Sequence, residues 1–188
     1  MNRYHRRLCR SPEWAAFVAD IVVPRVLDGV PLGGNVLELG PGYGASTRPL
    51  ARRTASLTAL ESDPALADRL RGELGPSVAV LDGDATRMTF AAGTFSAVVC
   101  FTMLHHLPSS AAQDRLFAEA ARVLVPGGVF AGTDSQPSWR FRLIHLADTC
   151  NPVDPETLAT RLTSAGFSQA TIDTSHGAVS FVAHAAAG

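Results

Sequence analysis

Lysine is absent from this 188-residue chain, and all sixteen of its basic side chains are arginines. Sites that depend on lysine are therefore excluded: the lysine of a Walker A phosphate loop, a Schiff-base lysine, and the tyrosine and lysine pair of many nicotinamide-dependent reductases. Seventeen Asp and Glu residues leave a formal net charge of -1. This balance argues against a nucleic-acid partner, because phosphate contacts normally require a basic face.

Basic residues are concentrated at the beginning of the chain, where four arginines fall within ten residues: Arg3, Arg6, Arg7 and Arg10. Such a run of charge is typical of a solvated segment, and residues 1–34 then form a leader. The alternative is contact with an anionic substrate or a lipid headgroup. The sequence leaves both interpretations open.

Cysteine and long apolar runs are also scarce. Cys9, Cys100 and Cys150 are widely spaced and form no CxxC pattern, so neither a disulfide framework nor a zinc-binding cysteine cluster is indicated. The basic start is followed by the polar segment 11–13, and no stretch is long enough to span a membrane. We expect a cytoplasmic protein without a signal peptide or a membrane span.

Short apolar or β-branched runs alternate with helical segments along most of the chain. The runs typical of buried strands are residues 35–39, 57–61, 78–81, 95–101 and 129–133. Apolar spacing and cap signals predict helices over residues 12–28, 64–73, 111–124 and 155–165, with Pro24 kinking or ending the first. This alternation predicts an α/β fold in which helices cover both faces of a parallel sheet.

The end of the chain predicts a hairpin. Two strands, over residues 168–174 and 179–183, are joined by a turn at His176 and Gly177. A tight hairpin that closes a parallel sheet makes the last strand antiparallel. We therefore expect a seven-stranded, mostly parallel sheet within one domain over residues 1–188.

The most informative segment is residues 36–47, VLELGPGYGAST, in which a buried strand leads into Gly40, Gly42 and Gly44 and then into a helix. Glycines allow a tight turn and a close approach of ligand to backbone, with amide groups of the helix start facing the ligand. This is a nucleotide-type cradle. With Ala45 it also satisfies the looser dinucleotide pattern G-x-G-x-x-A, so the segment alone is ambiguous.

Glu61 stands at the end of the second predicted strand. A carboxylate there can accept hydrogen bonds from both ribose hydroxyls of an adenine nucleoside, and sites for NAD and for S-adenosylmethionine both use this solution. The structural alternative is a helix cap that Glu61 shares with Ser62 and Asp63. Glu61 therefore does not separate the two ligands.

Three further features separate them. Glu38 extends the glycine segment to E-x-G-x-G-x-G, Gly83-Asp84-Ala85 follows the third strand, and FSAVVCFTMLHHL is followed later by RVLVPGGVF. In their order and spacing these motifs resemble the class I S-adenosylmethionine-dependent methyltransferases, in particular the broad small-molecule group with LHHL and L-x-PGG signatures. The resemblance runs from about residue 36 to residue 133, roughly half of the chain. It implies the Rossmann-like seven-stranded methyltransferase fold, with residues 35–134 as the cofactor-binding half.

The resemblance implies S-adenosylmethionine as the cofactor and S-adenosylhomocysteine as the product. It places the three glycines beneath the methionine part, Glu61 on the ribose hydroxyls and Asp84 on the adenine amino group. It also places Glu38 beneath the loop and a backbone contact to the cofactor's amino group at Phe101. The complete implied cofactor set is Glu38, Gly40, Pro41, Gly42, Gly44, Glu61, Ser62, Asp84, Ala85 and Phe101.

A sulfonium methyl group is already activated, so the protein needs only to align an attacking atom and exclude water. For an acceptor hydroxyl a nearby base would help, and histidine suits neutral pH. His105 and His106 lie just beyond the fourth strand, where α/β sheets bind ligands. Either is a candidate catalytic base, and ordering of the loop by hydrogen bonding is the alternative.

No metal is expected from these residues. Adjacent histidines cannot easily share one metal, and Asp134 followed by Ser135 lacks the second ligand of a magnesium site of the catechol type. His145 is a further acceptor-side candidate, and His5 reaches the pocket if the leader folds over it.

Residues 135–188 hold a short cap and the final hairpin, and the cap lies where the resembled family inserts its substrate cover. Trp139 and Phe141 alternate with Arg140 and Arg142. A substrate-facing lid and a surface helix that packs its aromatics inward are both open. Trp139 and His145 are the candidate substrate contacts. A short cap leaves the leader as the other wall of a small pocket, or of an open one completed by a second subunit.

The sequence therefore predicts an S-adenosylmethionine-dependent methyltransferase that acts on a small molecule, as a monomer or homodimer. The fourth strand ends in CFTM and not in an Asn-Pro-Pro-Tyr type motif, which argues against amino methylation of adenine or glutamine amides. Two alternatives remain: a regulatory or partner protein that binds the cofactor without turnover, and an NAD-dependent oxidoreductase. The missing lysine weakens the second.

Overall fold

The computed structural model describes residues 2–146 and 148–187, with the side chains of Arg140 and Arg142 outside the description. Its centre is a seven-stranded sheet in the order β3-β2-β1-β4-β5-β7-β6. The strands are β1 (Asn35–Leu39), β2 (Ser56–Glu61), β3 (Ala79–Asp82), β4 (Phe95–Phe101), β5 (Leu124–Ser135), β6 (Phe167–Asp173) and β7 (Ala178–Ala185).

Neighbouring strands from β3 to β5 pair in parallel, whereas β7 runs antiparallel to both β5 and β6. The prediction of a mostly parallel sheet with an antiparallel last strand is confirmed. The predicted strand 129–133 is longer in the structure, because Leu124 already pairs with Phe95 before the register shifts.

The central strands are buried on both faces, so they read as continuous apolar runs. Leu37 of β1 and Val98 of β4 belong to the core on one face, whereas Val36 and Val99 belong to the core on the other. This division follows from the alternation of side chains along a strand. Helices supply the outer layer of each core.

The helices are α1 (Arg3–Cys9), α2 (Pro12–Phe17), α3 (Val23–Leu27), α4 (Thr47–Ala51), α5 (Pro64–Leu74), α6 (Ser110–Val123), α7 (Trp139–Ile144) and α8 (Pro155–Ser164). Cap residues explain where the long ones begin. Asp63, Ser109 and Asp154 each accept a hydrogen bond from a backbone N–H in the first turn of the helix that follows. Such caps satisfy amide groups that the helix itself leaves unpaired.

The leader differs from the single helix predicted over residues 12–28. A π-helical turn, Val18–Val22, separates α2 from α3, and the helix passes Pro24 and continues to Leu27. Pro24 lies in the first turn of α3, where the missing N–H of proline is tolerated. None of the described helices is long and apolar enough to cross a membrane.

The helix α1 near the beginning of the chain is docked on the cap. Nδ2 of Asn2 donates to the carbonyl oxygens of Ile144 at 2.7 Å and Leu146 at 3.1 Å, and His5 of α1 is buried. The four arginines of this segment face outward and are exposed. The predicted solvated face therefore exists, but the helix that carries it also forms a wall of the molecule's main cavity.

Candidate functional site

A cavity of about 420 Å³ lies at the carboxyl ends of β1 and β4, where strand order reverses. In an α/β sheet this crevice is the usual place for a ligand. One end is lined by the glycine loop, Glu61 and Phe101, and the other by α1, α7 and the residues after β4. The fold thus brings part of the predicted cofactor set and three of the predicted acceptor residues, His105, His106 and His145, to one space. The predicted residues that do not line it are Glu38, Gly44, Asp84, Ala85 and Trp139.

The glycine loop has the backbone that its sequence predicts. Gly40, Gly42 and Gly44 all have positive φ values, of 65°, 55° and 78°. A Cβ on Gly40 would lie only 3.0 to 3.2 Å from three side-chain atoms of Met103. Glycine is therefore required at Gly40 for conformation and for close packing.

Glu61 closes the loop from the end of β2. Its Oε2 accepts a hydrogen bond from the backbone N–H of Gly42 at 2.9 Å, and its Oε1 accepts one from Asp63 at 3.0 Å. The carboxylate lines the cavity, and the residue is almost completely buried. Each carboxylate oxygen retains further acceptor capacity, so the cap contacts and a ribose contact are compatible.

Glu38 lies beneath the loop rather than in the cavity wall. Its Oε1 accepts a hydrogen bond from Oγ of Ser46 at 2.5 Å, whereas its buried Oε2 has no partner among the described residues. Burial raises the pKa of Glu38 to about 7, against the lowering effect of the Ser46 hydroxyl, and the nearby Glu61 adds to the rise. A buried acceptor without a donor is costly, so this atom marks a place for a polar ligand group or water.

Asp84 and Ala85 follow β3 and do not line the cavity. Oδ1 of Asp84 accepts hydrogen bonds from the backbone N–H and the hydroxyl of Thr86, both at 2.8 Å. The backbone bond from Thr86 is the main cause that lowers the pKa of Asp84. The fold places Asp84 next to β2, because the N–H of Gly83 donates to the carbonyl oxygen of Glu61 at 2.9 Å. Asp84 thus lies at the same edge of the sheet as Glu61, and its contact with the adenine stays a prediction.

His105 is fully engaged in the interior. Asp134 accepts from the backbone N–H of His105 at 2.9 Å and faces its Nδ1 at 2.5 Å. The N–H of Ser135 also donates to this carboxylate, at 2.7 Å. The other ring nitrogen of His105, Nε2, lies 3.0 Å from Nε2 of His145. This position of His105 is compatible with both predicted roles. His105 can order the segment after β4 through its hydrogen bonds, and it can also contact an acceptor.

Three more histidines surround His105. Nδ1 of His145 lies 2.8 Å from the carbonyl oxygen of Phe141, and Nδ1 of His5 lies 3.2 Å from Oδ2 of Asp148. His106 is half-buried, and burial lowers its pKa to about 3. Burial is also the main cause that lowers the pKa values of His5 and His145. All four imidazoles line the acceptor end of the cavity.

A family model for the methyltransferase domain matches residues 36–128. The chain belongs to the class I S-adenosylmethionine-dependent methyltransferases. Family membership speaks against the nicotinamide-dependent oxidoreductase alternative. The matched residues include the segment from Glu38 to the PGG motif.

Two curated relatives share part of this methyltransferase. It is 38% identical over 94 residues to the "Probable ribosomal RNA small subunit methyltransferase A" of Pyrobaculum aerophilum, a match over 50% of this chain and 38% of the relative. It is 44% identical over 75 residues to the ribosomal RNA small subunit methyltransferase A of Aliivibrio fischeri, over 36% of this chain and 28% of the relative. The chain thus spans well under half the length of these relatives. Their names place their activity on ribosomal RNA, which does not fit the predicted small-molecule acceptor.

A solved structure resembles this methyltransferase over nearly its whole length. The PH0226 protein of Pyrococcus horikoshii superposes with a TM-score of 0.79 at 15% identity, over 94% of this chain and 93% of that one. At this identity the likeness shows the fold alone. It confirms the Rossmann-like methyltransferase architecture.

The cap of this methyltransferase combines the two arrangements that the sequence leaves open. Phe141 packs inward and lines the cavity with Ile144, whereas Trp139 is 71% exposed and is not among the lining residues. The substrate role of Trp139 stays a prediction, because this side chain does not line the acceptor end of the cavity. His145 does line the acceptor end.

Some residues of the site carried no sequence signal. Thr102 and Met103 line the cavity directly after β4, and Thr102 has a positive φ of 52°, which is uncommon for a β-branched residue. Asp148 and Thr149 line it from the cap. The position after β4 could have indicated the first two. Nothing in the local sequence around Asp148 predicts that it meets the leader helix.

Proposed function

We propose that this chain transfers a methyl group from S-adenosylmethionine to a small-molecule acceptor. The observation that carries the proposal is one cavity that the glycine loop and Glu61 line at one end and four histidines line at the other. Cofactor and acceptor ends in one cavity are what a direct transfer between two bound molecules requires.

The residues present fit the cofactor. Glu61 would hold the ribose hydroxyls, Asp84 the adenine amino group, and the loop at Gly40 and Gly42 would lie against the methionine part. The unpartnered Oε2 of Glu38 supports this fit, because it is a buried acceptor directly beneath that loop. When bound, the cofactor supplies a methyl group on a positively charged sulfur.

The chemistry then needs alignment more than acid or base strength. With the cofactor held at the glycine loop and Glu61, an acceptor atom behind its methyl group would take that group and the cofactor would leave as S-adenosylhomocysteine. A proton on the acceptor atom would pass to water or to a histidine of the cavity wall. The chain's part is to hold the acceptor behind the methyl group and to keep water out. His105 and His106 line the wall where the acceptor would be held.

The size of the cavity favours a small acceptor. Its whole volume of about 420 Å³ is in the range of small-ligand pockets and has to hold the cofactor as well as the acceptor. The end wall is tied down, because Asn2 and His5 of the leader both bond to the cap. A nucleotide within a folded RNA could reach the site only if α1 moved away from the cap.

Nucleic acid is the second candidate acceptor, and two observations favour it. The curated relatives are named for ribosomal RNA, and a groove beside the cavity is lined by exposed arginines of α1, including Arg3, Arg6 and Arg10. Against it stand the net charge of -1 and the CFTM end of β4. We therefore place it second.

Incubation of the purified protein with methyl-labelled S-adenosylmethionine and a fractionated cell extract tests the proposal. Label should appear in the low-molecular-weight fraction and not in RNA, and the Glu61→Ala variant should abolish it. Label in the RNA fraction that ribonuclease releases would overturn the small-molecule acceptor and support the second candidate. Tight cofactor binding with no label in any fraction would support the alternative of a binding protein without turnover.

A further inference from the structure

Three imidazoles from distant parts of the chain converge at the acceptor end of the cavity. His5 comes from α1, His106 from the turn after β4 and His145 from the segment after α7. One ring nitrogen of each lies within 4.8 Å of the corresponding nitrogen of the other two. His5 and His145 are buried, and His106 is half-buried.

The hydrogen bonds of two of these rings leave a lone pair free. Nδ1 of His145 faces a carbonyl oxygen and Nδ1 of His5 faces a carboxylate, and both oxygens can only accept. Each Nδ1 therefore carries the hydrogen, and in the neutral ring each Nε2 carries the lone pair. Metal-binding histidines almost always donate their second nitrogen to a carbonyl or a carboxylate in this way.

His105 borders this cluster and contacts one of its rings. Asp134 accepts backbone N–H bonds from His105 and Ser135 and faces Nδ1 of His105 at 2.5 Å. Nε2 of His105 lies 3.0 Å from Nε2 of His145. The rings at this end of the cavity are therefore held in place by contacts to carboxylates, a carbonyl oxygen and each other.

We propose that His5, His106 and His145 form a binding site for one divalent transition-metal ion, with an open coordination position toward the cavity. The set contains only imidazole nitrogens, which suit Zn²⁺, Ni²⁺, Cu²⁺ and Fe²⁺ and not the oxygen-seeking Mg²⁺ or Ca²⁺. Three protein ligands with an open position are typical of catalytic rather than structural zinc sites.

The sequence expectation of no metal considered His105, His106, Asp134 and Ser135, of which only His106 belongs to the set. The other two ligands are His5 and His145, and the docking of α1 on the cap brings them together. If the proposed function holds, an acceptor oxygen, nitrogen or sulfur could take the open position. A metal-bound hydroxyl or thiol loses its proton more readily than a free one.

Metal binding can be measured without any methyl transfer. The chain is first stripped with a chelator and titrated with Zn²⁺ by calorimetry, and then loaded with Co²⁺ to record its visible absorption. We expect one Zn²⁺ per chain and Co²⁺ bands that Zn²⁺ abolishes. Mg²⁺ should give no heat.

Variants assign the ligands. His5→Ala and His145→Ala should each weaken Zn²⁺ at least tenfold, and Asp148→Asn should weaken it by about ten- to a hundredfold through the orientation of His5. His176→Ala is the matched control, because that histidine is exposed in the β6–β7 turn and should leave Zn²⁺ affinity unchanged. Cys9→Ser should also leave it unchanged.

Three results would overturn the proposal. These are no Zn²⁺ binding by the wild-type chain, equal binding by wild type and His145→Ala, or loss of binding in Cys9→Ser alone. Circular dichroism of each variant checks that it folds, and a rise in Tm with Zn²⁺ in the wild type alone gives a second readout. S-adenosylhomocysteine affinity is measured on the same samples. Absent Zn²⁺ binding with intact cofactor binding rejects the metal site without touching the proposed function.

Discussion

Replacement of Glu38 by glutamine should remove a pH-dependent cost of folding. Burial raises the pKa of this carboxyl from an ordinary value of 4.5 to about 7. At about 1.4 kcal/mol for each pH unit, that rise corresponds to about 3 kcal/mol. Below pH 4.5 the carboxyl is protonated in the folded and unfolded chains alike, and the cost is absent.

The sign follows from proton binding. Between pH 4.5 and about 7 the folded chain holds a proton that the unfolded chain has released, so stability falls as pH rises. Above about pH 7 the cost is constant. Glutamine keeps the size of the side chain and cannot ionise. Glu38→Gln should therefore gain stability relative to wild type by roughly 2 to 3 kcal/mol between pH 5 and pH 8.

Urea unfolding at pH 5, 6, 7 and 8 measures this difference. Glu13→Gln is the matched control, because Glu13 is exposed. This replacement should change the free energy of unfolding by the same amount at pH 5 and at pH 8. A stability difference between wild type and Glu38→Gln that does not change with pH would refute the reasoning. A stability difference that becomes smaller as the pH rises would be opposite to the predicted pH dependence, and it would also refute the reasoning.

Five other substitutions, two of them controls, test the site and the packing around it. Glu61→Ala should weaken S-adenosylhomocysteine binding about a hundredfold in calorimetry, because two hydrogen bonds to a charged group are lost. Asp84→Ala should weaken it about tenfold, whereas Asp82→Ala, at the exposed end of β3, should leave it unchanged; equal losses in these two would contradict the adenine assignment. Gly132→Ala should lower the free energy of unfolding by about 1 to 3 kcal/mol, since its Cβ would lie 2.6 Å from a β4 carbonyl oxygen. Gly72→Ala, at a position of α5 with open space around it, should raise the free energy of unfolding by up to about 1 kcal/mol. A more stable Gly132→Ala variant and a less stable Gly72→Ala variant would refute these two predictions.

The sheet was predictable because its strands are short, apolar and separated by clear cap residues. Residues 35–39 and 95–101 match β1 and β4, and Asp63 begins α5 as its sequence indicates. The π turn before Pro24 was not predictable, because its apolar spacing is compatible with an ordinary helix. The length of β5 depends on pairing with β4 across the sheet, which no local pattern shows.

The two ends of the cavity differ in how well they can be predicted from the sequence. Gly40, Glu61 and Asp84 lie at the ends of consecutive strands, so strand topology brings them together. The histidine cluster depends on contacts of Asn2 and His5 with Ile144, Leu146 and Asp148, which are more than a hundred residues away in the chain. A lone His5 among arginines carries no signal of that contact.

Calorimetric titration of the purified chain with S-adenosylhomocysteine, with NAD in parallel, tests the central claim most directly. The account predicts one site per chain of micromolar affinity for S-adenosylhomocysteine, weakened in Glu61→Ala, and no heat with NAD. Binding of NAD alone, or S-adenosylhomocysteine affinity that Glu61→Ala leaves unchanged, would contradict it.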